Sequence, residues 1–459
     1  MAGQNYRKRG GLITIFLMII WMLGIFKFIP LSAMLSVQTI SVFSVCYQLF
    51  VVLFLLTGYA VPSFVSKWIS LRISRGQYKN AKKVFHVIFV VSLVLNIILG
   101  ILFFLLADIY GESFMHVSYS IYVMKCMAFM FPFYGMISVL NGYFQGMGTM
   151  MPTCVSALLE QIVALPLALL LGHIFHNHGT KVAAFLQEEN YIYSYSAIAM
   201  VLAMIAGALV SLLFLVLVYF IYQKTFHKNL IKDTTTKNYD TPAELVAQFF
   251  SYILPNGIPV LLLFLATWLN QKFYFSHVFK NGSLRNALVE YGVFYGPYYV
   301  FVFIPVIFLV TACYFLVPVV EKLKARESHY QLHQEFESGI KQIFVYGGGL
   351  SFVFTVFSGV LGGLFGQNSS GILTNQLLFG SFAILFYALA IYTTAFVKGL
   401  NIPLISIPLW IVCLVVQSIL VYVLLANTKL EILAVVIGFM VYPLLLTAVN
   451  FLLIRKEIY

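Results

Sequence analysis

The sequence predicts an all-α polytopic membrane protein, with about 12 transmembrane helices in two six-helix lobes around a central cavity. Apolar segments of about 20 residues, the length that crosses ~30 Å of hydrocarbon, follow one another along the 459 residues. Apolar residues form 61% of the chain and charged residues only 9%, whereas soluble domains carry ~25% charged residues. The longest polar loop, at 227–244, divides the segments six and six.

The apolar segments are helices and not barrel strands. Barrel strands alternate apolar and polar residues over about 10 positions, and stretches such as LVLNIILGILFFLLA do not alternate. The predicted spans lie near residues 11–31, 39–66, 84–107, 119–140, 153–174, 194–222, 245–270, 292–318, 342–365, 374–396, 403–426 and 432–453. The N-terminal segment is too long for a secretory signal, so it is interpreted as a retained span.

The distribution of basic residues predicts the orientation. If the N-terminus is cytoplasmic, 20 of the 27 lysines and arginines lie in cytoplasmic segments and five in the opposite loops. The segment 67–83 alone carries six basic residues and no acid. Because basic residues concentrate on the cytoplasmic side, both termini are predicted to be cytoplasmic. Charge spread over membrane-flanking loops indicates contact with membrane lipids and argues against a nucleic-acid partner.

The two sets of spans predict an internal repeat. Gly146 precedes Pro152 before the fifth span, and Gly399 precedes Pro403 before the eleventh. The predicted organisation is an N-terminal lobe at 1–223, a cytoplasmic loop at 224–243 and a C-terminal lobe at 244–459. Two halves of the same orientation predict parallel repeats, with a transport path between them.

Enzyme chemistry has little support in the sequence. The chain has three aspartates, none in a paired-carboxylate arrangement, and no phosphate-binding glycine loop or metal-ligand spacing. The histidines at 173, 176 and 178 have no neighbouring carboxylate or cysteine that would complete a zinc site. The sequence therefore predicts neither an enzyme, nor a cofactor, nor a metal site.

Two segments carry a family resemblance. The stretches NGYFQGMGTMMPTCVSALLEQIV (141–163) and GYAVPSFVSKWISLRISRGQYKNAKKVF (58–85) resemble the polysaccharide-flippase branch of the multidrug/oligosaccharidyl-lipid/polysaccharide exporter superfamily. Within it, they are most similar to the sporulation-type and lipid II flippase-like members of Gram-positive bacteria. Members often have fourteen spans where this sequence predicts twelve. Relatives that handle lipid II carry arginines in the second span, and LFVVLFLLTGYA has none.

The resemblance implies a function and its partners. It implies a flippase in the bacterial cell membrane that moves a lipid-linked anionic sugar outward, with an envelope-polymer polymerase or glycosyltransferases as possible partners. A multidrug exporter coupled to sodium or proton entry and a membrane scaffold without transport activity remain alternatives. Export of a cation against the membrane potential costs ~2.3 kcal/mol per charge per 100 mV, so drug export requires an acidic coupling site. The flippase hypothesis is therefore preferred.

Ionisable groups inside spans are the first candidate site residues, because each costs ~2.5 to 3.5 kcal/mol at a span centre. Lys27 occupies the position of a cavity-lining arginine in the resembling family and is a candidate for diphosphate binding; the alternative is a lysine that reaches the interface. The same alternatives apply to Lys125. Glu160, predicted to be the only carboxylate in a span, and its neighbour Gln161 are assigned either a coupling role or a conformational one.

A second group of candidates lies on the seventh span. Pro255, Gly257 and Pro259 predict that the helix breaks or bends, because proline removes a backbone donor and clashes with the preceding turn. A broken helix exposes backbone groups to a cavity, whereas a simple kink does not. Asn256 in this segment is a candidate for substrate binding. At the outer end of the span, Asn270, Gln271 and Lys272 are further candidates for the cavity.

Overall fold

The computed structural model describes residues 15–230, 233, 241–310, 316–365 and 367–458, with backbone only at 224–230, 281, 367–368 and 403–405. These residues form helices and short connections and include no strand. In chain order the first eight helices are α1 Ile15–Leu35, α2 Val37–Ser74, α3 Tyr78–Leu105, α4 Ser118–Met127, α5 Met130–Gly146, α6 Met151–Leu186, α7 Asn190–Leu230 and α8 Pro242–Asn281. The others are α9 Leu284–Val310, α10 Leu316–Ala325, α11 His329–Val356, α12 Ser358–Gly363, α13 Gln367–Gly380, α14 Ala383–Gly399, α15 Pro403–Asn427 and α16 Ile432–Ile458.

The number of spans agrees with the prediction. Among the described residues, 10 helices are long and apolar enough to cross a membrane, or up to 12 if each of two bent pairs is one span. These pairs are α4 with α5, bent by 41°, and the 369–380 segment of α13 with α14, bent by 49°. At the second bend the Ser381 hydroxyl donates to the carbonyl of Leu377 at 2.5 Å, a back-bond that often bends helices. The all-α polytopic fold is confirmed.

The described helices differ from the predicted spans at two places. The helix α9 begins at Leu284, eight residues before the predicted 292, because Ala287 and Leu288 are buried and extend its packed face. The predicted span 342–365 is also displaced, since the apolar helix in this region is α11, which ends at Val356. A turn at Phe357 and the short helix α12 follow it.

The described residues group into two compact units. The first unit comprises Met1–Gln48, Glu112–Val117 and Leu262–Tyr459, and the second comprises Leu49–Gly111 and Ser118–Leu261. Each unit is a set of residues that contact one another. The lobe boundaries predicted from the sequence instead mark the two halves of a predicted internal repeat. The lobes at 1–223 and 244–459 and the loop at 224–243 therefore stay a prediction.

Two equivalent glycines make the same contact, one in each unit. A Cβ on Gly146 of α5 would lie 2.9 Å from Ile69 Cβ of α2 and 3.1 Å from the carbonyl oxygen of Ser66. A Cβ on Gly399 of α14 would lie 2.6 Å from Val320 Cβ of α10 and 3.1 Å from the carbonyl oxygen three residues earlier. Both glycines thus allow close approach of two helices. This similarity supports the predicted repeat.

Candidate functional site

The second unit holds Glu160 in a defined hydrogen bond. The hydroxyl of Tyr134 on α5 donates to Oε1 of Glu160 on α6 at 2.6 Å, within the range of strong charge-assisted bonds. The Tyr134 ring lies 5.8 Å from the ring of Phe54. On the other side, Gly207 of α7 approaches so closely that a Cβ there would be 2.7 Å from the Glu160 carbonyl oxygen. The packing therefore fixes both the backbone and the carboxylate of this residue.

A buried amide lies against Gly135, the residue after Tyr134 on α5. Asn96 on α3 is fully buried, accepts from the Thr57 hydroxyl at 3.1 Å and donates to the Ser92 carbonyl at 2.8 Å. A Cβ on Gly135, the neighbour of Tyr134, would lie 2.6 Å from Asn96 Nδ2. We call Thr57, Asn96, Tyr134 and Glu160 the α5 polar cluster. Sequence reasoning missed Asn96, although a lone amide in LVLNIILG was a signal for it.

The proline segment of the seventh span lies beside a widened turn of α2. Helix α8 continues through Pro255 and Pro259, so of the two alternatives, a broken helix and a simple kink, the structure shows no break. Asn256 Nδ2 donates to the Tyr252 carbonyl one turn earlier in the same helix at 2.9 Å. A Cβ on Gly257 would lie 3.4 Å from the carbonyl oxygen of Leu55.

Leu55 begins a π-helical turn of α2, Leu55–Tyr59, and Thr57 of the α5 polar cluster lies in it. Such turns are frequent at functional sites. The turn therefore contacts both Asn96 of α3 and Gly257 of α8. It brings the proline segment and the polar cluster to the same part of the second unit.

Lys125 and Gln161 are two further site candidates of the second unit. Lys125 Nζ lies 2.8 Å from Asp108 Oδ1, in an ion pair whose side chains are 29% and 57% exposed. Oε1 of Gln161 is buried and has no hydrogen-bond partner among the described residues.

Lys27 lies in the first unit, at a turn that interrupts α1. It is 9% exposed, and its Nζ lies 5.8 Å from the centroid of the Phe28 ring. Phe28 in turn packs edge-on against Tyr295 of α9 at 5.7 Å. The side chain is enclosed by protein, which disfavours the alternative of a lysine that reaches the lipid interface.

The candidates at the end of the seventh span are enclosed within the first unit. Asn270 and Gln271 are almost completely buried. The Asn270 Oδ1 accepts a hydrogen bond from Gln417 of α15, and Gln271 Nε2 donates to the Ser44 hydroxyl at 3.0 Å. Both amides thus join helices of the first unit.

Lys272 contacts an aromatic side chain from a distant part of the chain. Its Nζ lies 3.3 Å from the centroid of the Phe114 ring, and Phe114 stacks on Trp268 at 5.5 Å. A cation over an aromatic face is stabilised by the ring quadrupole. The ammonium group of Lys272 is therefore engaged within the first unit.

The prediction that Glu160 is the only carboxylate in a span is wrong. Because α9 begins at Leu284, Glu290 lies within a candidate span. Its Oε2 accepts a hydrogen bond from the hydroxyl of Tyr274 at 2.6 Å. Sequence reasoning placed this residue in a loop, and only the observed start of α9 brings it into the helix.

The site candidates divide between the two units. Lys27, Asn270, Gln271 and Lys272 belong to the first unit. Lys125, Glu160, Gln161, Pro255, Asn256, Gly257 and Pro259 belong to the second. Among the described residues, no group of three or more histidine, cysteine or acidic side chains has the geometry to hold a metal ion. The described arrangement is thus two sets of polar and cationic side chains inside a helical membrane protein.

Comparison with known proteins assigns this architecture to a class and then to a family. The fold is similar to that of an inward-facing multidrug resistance MATE family transporter of the MOP superfamily, with a TM-score of 0.77, 16% identity and coverage of 96% of this chain and 94% of that one. A MOP superfamily transporter from Pyrococcus furiosus is similar with a TM-score of 0.61 and 18% identity, over 97% and 95% of the two chains. The protein has the fold of this superfamily of transporters, the multidrug/oligosaccharidyl-lipid/polysaccharide exporters.

The family follows from the sequence match. The model of the family described as polysaccharide biosynthesis protein matches residues 7–324, and the chain belongs to that family. Stage V sporulation protein B of Bacillus subtilis is 28% identical over 226 residues, which are 49% of this chain and 41% of that protein. The lipid II flippase MurJ of Bacillus subtilis is 26% identical over 149 residues, 31% of this chain and 27% of that protein. The matched segments thus span less than half the length of either relative.

Proposed function

We propose that this protein is a flippase that moves a polyprenyl-diphosphate-linked oligosaccharide or cell-envelope precursor from the inner to the outer leaflet by alternating access. The observation that carries the proposal is the buried cation of Lys27 in an otherwise apolar span. An ionisable residue inside a span is a candidate functional residue, because a charge in hydrocarbon is costly. A diphosphate is anionic, and a lysine binds it as a point charge.

The charge balance of the chain supports an anionic substrate. The chain has a net charge of +12, and the segment 67–83, which we place at the cytoplasmic entrance, carries six basic residues and no acid. Outward movement of an anion is assisted by an inside-negative potential, by ~2.3 kcal/mol per charge per 100 mV. Such movement therefore requires no dedicated acidic coupling site.

The proposed cycle follows from these charges. The diphosphate and sugar enter from the cytoplasmic side, where the segment 67–83 attracts them, and Lys27 then holds the diphosphate while the polyprenyl tail stays in lipid. Rocking of the predicted lobes, 1–223 and 244–459, exposes the head group to the outer side. Asn256, Asn270, Gln271, Lys272 and Lys125 are proposed as further cavity residues; Glu160, Gln161, Pro255, Gly257 and Pro259 are proposed to support the conformational change.

The proposed setting is the bacterial cell membrane, with both termini cytoplasmic. The proposed partners are the lipid-linked sugar, membrane lipids and an envelope-polymer polymerase or glycosyltransferases. The names of the two Bacillus subtilis relatives, a sporulation protein and a lipid II flippase, support an envelope role.

Export of cationic drugs is the second candidate function, favoured by the similarity to a multidrug resistance transporter. The two functions differ in the charge of the substrate. Purified protein in liposomes distinguishes them, with a fluorescent polyprenyl-diphosphate oligosaccharide in one assay and a cationic dye in the other. We expect transbilayer movement of the anionic lipid alone. Movement of the dye without movement of the lipid would assign the protein to drug export.

A further inference from the structure

A cavity of about 350 Å³ lies between α11 and α16 in the first unit. Its volume falls within the range of small-molecule sites, ~300 to 1,000 Å³. His333, Glu337 and Lys341 line it from α11, and Arg455 lines it from α16. Positions 333, 337 and 341 are four residues apart and therefore share one helix face. The α11–α16 cavity thus has ionisable side chains from both of its helices.

The ionisable side chains of the α11–α16 cavity carry one net positive charge when the histidine is neutral. Lys341 Nζ lies 2.9 Å from Glu337 Oε2, and His333 Nε2 lies 3.5 Å from Glu337 Oε1. The carboxylate is therefore flanked by basic side chains of its own helix. Arg455 adds a second permanent cation from the opposite helix. Two cations and one carboxylate favour a ligand with a negative charge.

Aromatic and aliphatic side chains form the rest of the lining. Phe336 of α11 is 6% exposed and contacts Phe451 of α16, with ring centroids 5.7 Å apart. Ile340 of α11 and Ile458 of α16 add to the apolar lining. A ligand of this cavity therefore contacts charged and apolar side chains together.

The α11 wall of the cavity is held in place by α14. The hydroxyl of Tyr392 on α14 donates to the carbonyl of Glu335 at 2.8 Å, and Gly339 leaves no room for a Cβ beside that hydroxyl. Phe336 also packs against Phe396 of α14, with ring centroids 5.0 Å apart. These contacts fix the first turns of α11, so the cavity is formed without a ligand.

An exposed apolar surface continues from the cavity along both helices. On α11, Phe344 and Val345 are 61% and 68% exposed and lie one turn after Lys341. On α16, Leu452 is 66% exposed and lies one turn before Arg455. Exposed apolar surface of this kind marks contact with the membrane. The charged groups therefore lie at one end of a surface that is suited to lipid chains.

We propose that the α11–α16 cavity binds the headgroup of an anionic phospholipid, with Lys341 and Arg455 at the phosphate and the acyl chains on the exposed apolar surface. The predicted orientation places this end of both helices in the cytoplasmic leaflet, where anionic lipids are found and where basic cavities between spans bind their headgroups. The single negative charge of a phosphodiester matches the net charge of the lining. The bound lipid joins α11 to α16 and so stabilises the first unit. The proposal concerns a lipid of the surrounding membrane and does not depend on the transported substrate.

Binding of phosphatidylglycerol to the purified, delipidated protein in detergent tests the site. Native mass spectrometry measures the affinity, and thermal unfolding measures the stabilisation. We expect Lys341→Gln and Arg455→Gln each to lower the affinity about fivefold, the equivalent of ~1 kcal/mol per basic residue near an anionic surface. Both side chains are exposed, so both variants are expected to fold. The matched control Lys456→Gln removes the same charge at the next position of α16, outside the lining, and should leave the affinity unchanged.

Two further variants separate a defined cavity from a diffuse positive charge. Ile340→Trp fills the cavity without a change of charge and should lower the affinity. Glu337→Gln removes the negative charge from the lining and should raise it. Thermal unfolding without lipid checks that each variant folds.

Three results would overturn the proposal. An equal loss of affinity in Arg455→Gln and Lys456→Gln would show that the whole helix end attracts the lipid and the cavity does not. Equal affinity for phosphatidylethanolamine, which has no net charge, would show that the anionic headgroup is not selected. Tighter binding of a polyprenyl diphosphate, lost in the Lys341→Gln variant, would assign the cavity to the transported substrate.

Discussion

The hydroxyl of Tyr134 donates a 2.6 Å hydrogen bond to Oε1 of Glu160 and so joins α5 to α6 inside the second unit. The sequence left two roles open for Glu160, one in ion coupling and one in supporting its helix. A tyrosine hydroxyl is a neutral donor and satisfies one carboxylate oxygen without removing the charge. The bond, together with the close approach of Gly207, supports the conformational role.

Substitution of Glu160 separates the two roles. Glu160→Gln keeps the shape and an oxygen that accepts from Tyr134, so we expect partial retention of lipid-linked sugar flipping and unchanged resistance to cationic dyes. Tyr134→Phe removes the donor and should lower stability by about 1–2 kcal/mol. Flipping in liposomes and thermal unfolding in detergent measure the two effects. Complete loss of transport in Glu160→Gln, at normal stability, would establish a coupling role.

The charge of Lys27 is expected to be required for transport. Lys27→Ala should lower flipping about tenfold or more, equivalent to ~1.4 kcal/mol per tenfold, while Lys27→Arg should retain it because arginine keeps the cation. Accumulation of the lipid-linked intermediate in cells measures the effect. Lys429→Ala, a change of an exposed lysine, is the matched control. Full activity of the alanine variant, at normal protein level, would contradict the proposed role.

The orientation is testable by cysteine labelling in a background without the five native cysteines. A cysteine in the 67–83 segment or the 227–241 segment should be protected in intact cells from an impermeant thiol reagent, because both are predicted to be cytoplasmic. A cysteine at Ser370 should react. Permeabilised cells control for reactivity of each position. The reverse pattern would invert the topology and the proposed direction of transport.

The two equivalent glycines should be sensitive to a single added methyl group. Gly146→Ala and Gly399→Ala each place a Cβ within 3 Å of a side chain of the neighbouring helix, and overpacking of this kind costs typically 1–3 kcal/mol. Gly349→Ala is the control, because nothing lies within 4 Å of its Cβ and alanine favours the helix. Thermal unfolding in detergent compares the three. Tolerance of alanine at both positions would show that the close approach is dispensable.

The sequence alone determined the class of fold. Spans of about 20 apolar residues leave helices as the only open structures that satisfy their backbone groups in hydrocarbon, and each predicted span has a described helix or bent helix pair. The stretches around Gly146 and Pro152 also carried the family resemblance, which the family match at residues 7–324 confirmed. The length and the composition of the spans sufficed to predict the fold class, because the membrane imposes both.

Only the tertiary structure decided which polar side chains meet. Helical periodicity does not say which helices are neighbours, so Tyr134 was not recognisable as the partner of Glu160, nor Phe114 as that of Lys272. The burial of individual polar residues was equally hidden, since the sequence did not show that Asn270 and Gln271 are enclosed within their own unit. The start of α9 at Leu284 depends on packing and not on hydropathy, and it alone brought Glu290 into a span. Partner choice and helix ends are set by contacts between residues far apart in the chain, and these contacts leave no local pattern in the sequence.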